Sequence, residues 1–235
     1  MRRRCVKPLR PLPRNSSSVK LLPVPPVRRF LVPFVLLSSS TALAQEPLRR
    51  PPPTSFEYFQ YGMAVTTEQV ASPGDVCPSG TDTPCILGGG FGPTIRIGRR
   101  NRGAWYAGGA YEFSRQDPSN LIRLAILQQL RAEARYYEEA GQRVTPYGMA
   151  SLGLVGYGNE WGIDTGGIVA SLGLGGEFHL SGTAVIGAAV HYRALLLRGW
   201  RDSAGQARAD ALLGFGLAHM VALELAWEIR DPLPR

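Results

Sequence analysis

The sequence predicts an all-β fold, an eight-stranded antiparallel up-and-down transmembrane β-barrel, and three observations carry that prediction. After the first 44 residues no apolar run reaches 18 residues, so no membrane-crossing helix is written in the chain. Eight segments instead alternate between an apolar face and a face of small or polar residues, which is the period of a strand. The connections are rich in turn formers and alternate between short and longer. In hydrocarbon only helices and closed barrels satisfy all their backbone hydrogen bonds, and a barrel is written as weak alternation.

Residues 1–44 read as a secretory signal peptide. They hold nine basic residues and no acidic one, then the short run Phe30–Leu37, then small residues at Ala42 and Ala44 before a cut at Gln45. Eight apolar residues interrupted by Pro33 are too few to span ~30 Å of hydrocarbon. Residues 45–54 form a proline-rich, extended periplasmic lead, and residues 55–235 are assigned to the barrel domain.

Removal of the signal changes the charge argument. The full chain has 26 basic and 18 acidic residues, and without the nine of the leader the balance is 17 to 18. The basic excess that would invite a nucleic-acid partner therefore sits in a discarded segment, and no nucleic acid is expected. Lys7 and Lys20 leave with it, so the mature cations other than histidine are arginines, which suit buried bidentate pairing with carboxylates.

Cys5 also leaves, and the remaining pair, Cys77 and Cys85, reads as a disulfide in an exported protein. The bridged segment CPSGTDTPC is turn-rich, so the bridge is expected to staple one short, mobile loop at little gain in stability. Two cysteines without a nearby histidine fall short of a zinc site, and no metal or cofactor is expected.

The strands are predicted at about Phe56–Val70, Ile86–Arg99, Ala104–Ser114, Leu121–Tyr137, Thr145–Tyr157, Ile168–Leu180, Ala184–Leu197 and Ala207–Ile229. The first pair is joined through the cysteine loop and the later ones by RRNRG, RQDPSN, EAGQR, GNEWGIDTGG, SGT and RDSAGQ. In the third strand Trp105, Ala107, Gly109, Tyr111 and Phe113 oppose Tyr106, Gly108, Ala110, Glu112 and Ser114. In the fourth, Ile122, Leu124, Ile126, Leu130, Ala132, Ala134 and Tyr136 oppose Arg123, Gln129, Arg131, Glu133 and Arg135. Ile168, Ala170, Leu172, Leu174 and Phe178 oppose Ser171, Gly173, Gly175, Glu177 and His179 in the sixth. Leu213, Phe215, Leu217, Val221, Leu223, Leu225 and Trp227 share a face of the last, with His219 on the same parity, and Thr145–Tyr157 fits either parity.

Alternation alone leaves open which face is inside, because a soluble lipocalin-like lipid binder turns its apolar face inward. The other face decides. It is mainly small, as at Gly88, Gly90, Gly92, Ala189, Gly214 and Gly216, where a solvated exterior would be dense in charge. It is punctuated by Arg96, Glu112, Arg123, Arg131, Glu133, Arg135, Glu177, His191, Arg193 and Glu224. Small residues and a few charges of both signs are what a cramped lumen holds, since buried charges must pair.

With its signal, its topology and glycine-rich strands such as PYGMASLGLVGYG and VASLGLGGEF, the chain resembles the small eight-stranded outer-membrane proteins of the OmpA/OmpX type over Phe56–Ile229. The resemblance implies an exported protein of the bacterial outer membrane. Its partners would be outer-membrane lipid, lipopolysaccharide and the barrel-assembly machinery. The last strand departs from the pattern, being followed by RDPLPR rather than a terminal aromatic residue.

One string invites an enzyme. In GEFHLSG the spacing of His179 and Ser181 resembles that of outer-membrane lipid A deacylases, which need a histidine base, a serine nucleophile and an acidic orienter. The asparagine expected after the serine is missing, and Arg193 stands near the place of the expected glutamate. No catalytic residue is assigned. The expectation is a structural or surface-interaction barrel without catalysis; the alternatives are a lipid A-modifying hydrolase and a secreted lipocalin-like binder.

Overall fold

The computed structural model describes residues 57–77, 85–117, 124–138, 144–159, 162–201, 207–208 and 214–233. The signal at 1–44, the lead at 45–54, and Ile122, Arg123, Trp161 and Leu213 lie outside the described residues. Alternating segments close into one barrel. Its strands are β1 (Tyr58–Ser72), β2 (Gly90–Arg100), β3 (Trp105–Gln116), β4 (Ala125–Tyr137), β5 (Val144–Asn159), β6 (Thr165–His179), β7 (Ala184–Arg198) and β10 (Phe215–Pro232). All neighbours are antiparallel, and β1 closes the barrel against β10, with Tyr58 opposite Pro232.

The last predicted strand requires correction. Ala207 does not begin the strand that closes the barrel: β8 (Trp200–Arg201) pairs with β9 (Ala207–Arg208) in a separate two-stranded ribbon, and the closing strand starts at Phe215. β8 and β9 thus form a pair of their own within the β7–β10 connection. Gly214, assigned to the small inner face, lies before that strand at φ +75°, a left-handed backbone that favours glycine. Gly88 likewise precedes β2, and a Cβ there would lie 2.1 Å from the Asp117 carbonyl oxygen.

Register explains how the alternation becomes an inside and an outside. A line of paired residues runs from Trp227 through Met63, Ile95, Tyr111, Leu130, Leu154, Ile168 and Leu196, and re-enters β10 at Leu217. Every member is apolar or aromatic and exposed on the outer surface. The line returns ten residues from its start (Trp227 to Leu217), and this stagger is what tilts the strands of a closed barrel by about 35–45°.

The adjacent inward line runs Glu228, Gly62, Arg96, Ala110, Arg131, Gly153, Val169, Leu195 and Ala218. Large side chains alternate with small ones on it, so that Gly62, Ala110 and Gly153 make room for the guanidinium groups of Arg96 and Arg131. At Gly153 the requirement is strict, since a Cβ there would meet the Leu130 carbonyl oxygen at 2.0 Å. The fifth strand, ambiguous in sequence, turns Thr145, Tyr147, Met149, Ser151, Val155 and Tyr157 inward.

Outward aromatic residues gather at the end where the chain enters and leaves the barrel: Phe59, Tyr61, Trp105, Tyr136, Phe178 and Trp227. Trp105 and Tyr136 meet edge to face with ring centres 5.1 Å apart. Farther up the outer face, Ala132, Ala134, Ala150, Ala170 and Ala194 line a shallow groove of about 610 Å³ beside Leu152, Leu172 and Tyr192.

Candidate functional site: the filled lumen

Below its apolar mouth the lumen holds Arg96, Arg100, Arg131, Arg135, Arg193 and Arg230 together with Glu68, Glu112, Glu133, Glu177, Glu224 and Glu228, six cations and six anions, all buried. Equal numbers matter, because an unpaired charge in a low-dielectric interior costs several kcal/mol, roughly 3–5 when one partner of a pair is removed.

Two linked networks pair most of these charges. In the upper one Arg193 grips both oxygens of Glu112 at 2.6 and 2.8 Å and also pairs with Glu68. Arg131 reaches Glu112 at 3.0 Å and the Gln129 side-chain oxygen at 2.7 Å. Ser114, Gln116 and Gln129 donate to Glu68 at 2.7, 3.0 and 3.0 Å, and Thr94 donates to Glu112 at 3.2 Å. In the lower network Arg96 is the hub, reaching Glu133 at 2.6 Å, Glu224 at 2.9 Å and Glu228 at 3.1 Å. Arg135 forks onto Glu228 at 3.0 and 3.2 Å, while Tyr137 donates to Glu177 at 2.6 Å and Arg230 pairs with the same carboxylate. Glu133 joins the two networks, since Arg131 stands 3.6 Å from it. His191 lies beside Glu224 with Nε2 3.8 Å from the nearer carboxylate oxygen.

Toward the end with the termini the charges are interleaved with a second cluster, Tyr106, Tyr137, Tyr147, Met149 and Ala189. Its rings lie against arginines: Arg135 lies 4.9 Å from the centre of Tyr106 and 5.2 Å from that of Tyr147, and Arg100 lies 4.0 Å from that of Tyr137. The Tyr106 ring lies against Gly98 and Gly108, where added Cβ atoms would come within 2.4 and 2.7 Å of its Cζ atom.

Above the charges, at the end with the longer loops, the lumen is apolar. Leu127, Val155, Tyr157, Val169, Leu195, Leu197, Ala218 and Met220 from the strands enclose Val76, Ile86 and Leu87 from the β1–β2 connection. Cys77 and Cys85 are disulfide-bonded, with Cα atoms 5.0 Å apart, and pack against this cluster. The loop that the bridge closes, residues 78–84, lies outside the described residues, and with it the expectation of a mobile staple. Its flanking residues are seated in the barrel mouth, because Val76 and Ile86 bring apolar side chains that find an apolar mouth.

The predicted lumen charges Arg96, Glu112, Arg131, Glu133, Arg135, Glu177, Arg193 and Glu224 are all in this network, and Arg123 lies outside the described residues. Sequence reasoning missed Glu68, Arg100, Glu228 and Arg230. Glu68 shares the parity of Ala64 and Thr66 on β1, a signal that period-2 reading carried to the end of the strand would have found. Glu228 and Arg230 sit in the last turns of β10, which continues past Ile229 to Pro232.

His179 and Ser181 do not face each other in a catalytic pair. The His179 ring meets the Thr145 hydroxyl at 3.2 Å, whereas the Ser181 hydroxyl accepts from the backbone N–H groups of Thr183 and Ala184 at 3.2 and 3.0 Å, shaping the turn. His219, on the apolar parity, is on the outer face, where it stacks on Tyr192 and hydrogen-bonds its hydroxyl at 2.6 Å. The outer surface therefore keeps this polar group partnered.

With the barrel closed, its comparison with solved structures can be given. The fold is similar to Neisserial surface protein A. The match covers 75% of this chain and 97% of that one, at 17% identity and a TM-score of 0.49. A second similar structure is the outer membrane protein OprG from Pseudomonas aeruginosa, with 75% and 96% covered, 13% identity and a TM-score of 0.44. No protein-family model matches the chain. No curated protein matches it either.

Proposed function

We propose that this chain is an integral β-barrel protein of the bacterial outer membrane with a structural or surface-interaction role and no catalytic one. The observation that carries the reading is the inversion of the usual protein solvent pattern. Six arginines and six glutamates are buried inside, and the side chains exposed outside are predominantly apolar and aromatic across all eight barrel strands. A monomer in water rarely exposes a contiguous apolar patch beyond a few hundred Å², whereas hydrocarbon requires one that encircles the barrel. Closure of β1 on β10 also leaves the barrel no unpaired edge.

The same distribution argues against a lipocalin-like binder, whose apolar face would line the lumen. A lumen filled by side chains favours a scaffold over a conduit, so the surfaces left to act are the outer face and the loop end. Outer-membrane lipid and lipopolysaccharide are the partners that fit the apolar face; export through the signal at 1–44 and insertion by the barrel-assembly machinery complete the proposal. Fractionation of the native protein, followed by gel migration with and without boiling, tests it. A membrane-fraction protein whose unboiled form migrates as a compact barrel supports the reading, and a soluble protein whose migration is unchanged by boiling overturns it.

A further inference from the structure

Val76 immediately precedes Cys77, and Ile86 immediately follows Cys85. The disulfide therefore ties together, at their bases, the two arms that carry apolar side chains into the barrel mouth. Val76 and Ile86 are 3% and 2% exposed, as deeply buried as the strand residues around them. The backbone is fitted to this seat. Gly216 has no room for a side chain, since a Cβ there would lie 2.9 Å from the Val76 backbone nitrogen, and Gly74 at φ +51° passes so close to Leu217 that a Cβ would meet its carbonyl oxygen at 2.0 Å. On the other arm Tyr157 donates to the Ile86 carbonyl, and the Asp117 N–H donates to the Gly89 carbonyl at 2.9 Å.

We propose that the two arms of the β1–β2 connection, residues 73–77 and 85–89, plug the lumen and that the Cys77–Cys85 disulfide is their redox latch. With the bridge intact neither arm leaves the mouth without dragging the other, so Val76, Ile86 and Leu87 stay seated and water is kept from the apolar layer. A dithiol reductant unlatches it. One reagent thiolate attacks a bridge sulfur and releases the first protein thiolate; the second attacks the reagent sulfur of the resulting mixed disulfide and releases the other, so that the reagent is oxidised to its cyclic disulfide and the two protein thiolates take up the reagent's protons. Each arm is then held only by its own contacts and opens independently, while the barrel below stays closed by strand pairing.

Two buried methionines report on this. Met220, fully buried, lies in the mouth cluster beneath the plug, and Met149 lies in the separate tyrosine cluster toward the terminus end of the lumen. Hydrogen peroxide transfers one oxygen to a thioether that it reaches, releasing water, and mass spectrometry reads the sulfoxide at each site. Folded protein in detergent micelles is compared in three forms: bridged, reduced with dithiothreitol and then alkylated, and carrying Cys77→Ser with Cys85→Ser. The plug predicts at least about ten-fold faster oxidation of Met220 in both unlatched forms, with Met149 unchanged, each tenfold matching ~1.4 kcal/mol of easier opening. Should the serine variant fail to fold, the protein reduced after folding carries the test. An unchanged Met220 rate, or equal acceleration at Met149, overturns the proposal: the first means that packing alone seats the arms, the second that the bridge stabilises the whole barrel.

Discussion

Glu133 receives Arg96 at 2.6 Å and stands 3.6 and 3.7 Å from Arg131 and Arg135, so one carboxylate neutralises parts of three guanidinium groups. Glu133→Ala leaves those buried cations without their shared carboxylate, and it should destabilise the folded barrel by about 3–5 kcal/mol. Glu138, exposed just beyond β4, provides the control. Urea unfolding in lipid vesicles should show a large loss of midpoint for Glu133→Ala and almost none for Glu138→Ala; equal midpoints would mean that the Glu133 network is hydrated. His179 and Ser181 carry an opposite expectation. Their hydrogen bonds go to Thr145 and to the turn backbone, so His179→Ala and Ser181→Ala should leave the acyl pattern of lipid A unchanged in cells that carry the protein. An acyl chain lost only when both residues are intact would make the protein an esterase.

At the scale of the element, the arms of the β1–β2 connection behave as part of the core. Ile86→Ala removes a side chain packed among Leu127, Tyr157 and their neighbours, and should cost about 2–5 kcal/mol, as core truncations do, where a mobile loop residue would cost almost nothing. Denaturant titration of this variant against wild type decides between the two.

That mouth layer was hard to read in the sequence for a physical reason. Alternation signals a strand only while its two faces meet different surroundings, and near the loop end both faces are apolar: Ala125, Ile126 and Leu127 run together, as do Leu195, Leu196 and Leu197. The loss of alternation is itself the trace of an apolar plug. Lower in the barrel the faces differ sharply, and there the parity of β3, β4 and β6 was legible residue by residue. The start of the closing strand is not legible because β8 and β9 continue the strand-like composition before it. Its end, with Arg230, is not legible because Pro232 reads as punctuation.

For the whole molecule, the central claim is that the outer face meets hydrocarbon while the charges are hidden from it. Its geometry rests on a ten-residue stagger that carries one outward line from Trp227 around to Leu217 without meeting a charged residue. Trp105 and Trp227 are 55% and 53% exposed on that face, at the end with the termini, where aromatic residues favour a membrane interface. The most direct measurement is the fluorescence of a variant that keeps these two tryptophans, with Trp161→Phe and Trp200→Phe, in vesicles containing phospholipid brominated near the headgroup. The account predicts strong quenching by the brominated lipid and weak quenching by aqueous iodide. Strong quenching by iodide with none from the brominated lipid would contradict it, placing the apolar face in water and the protein outside the membrane.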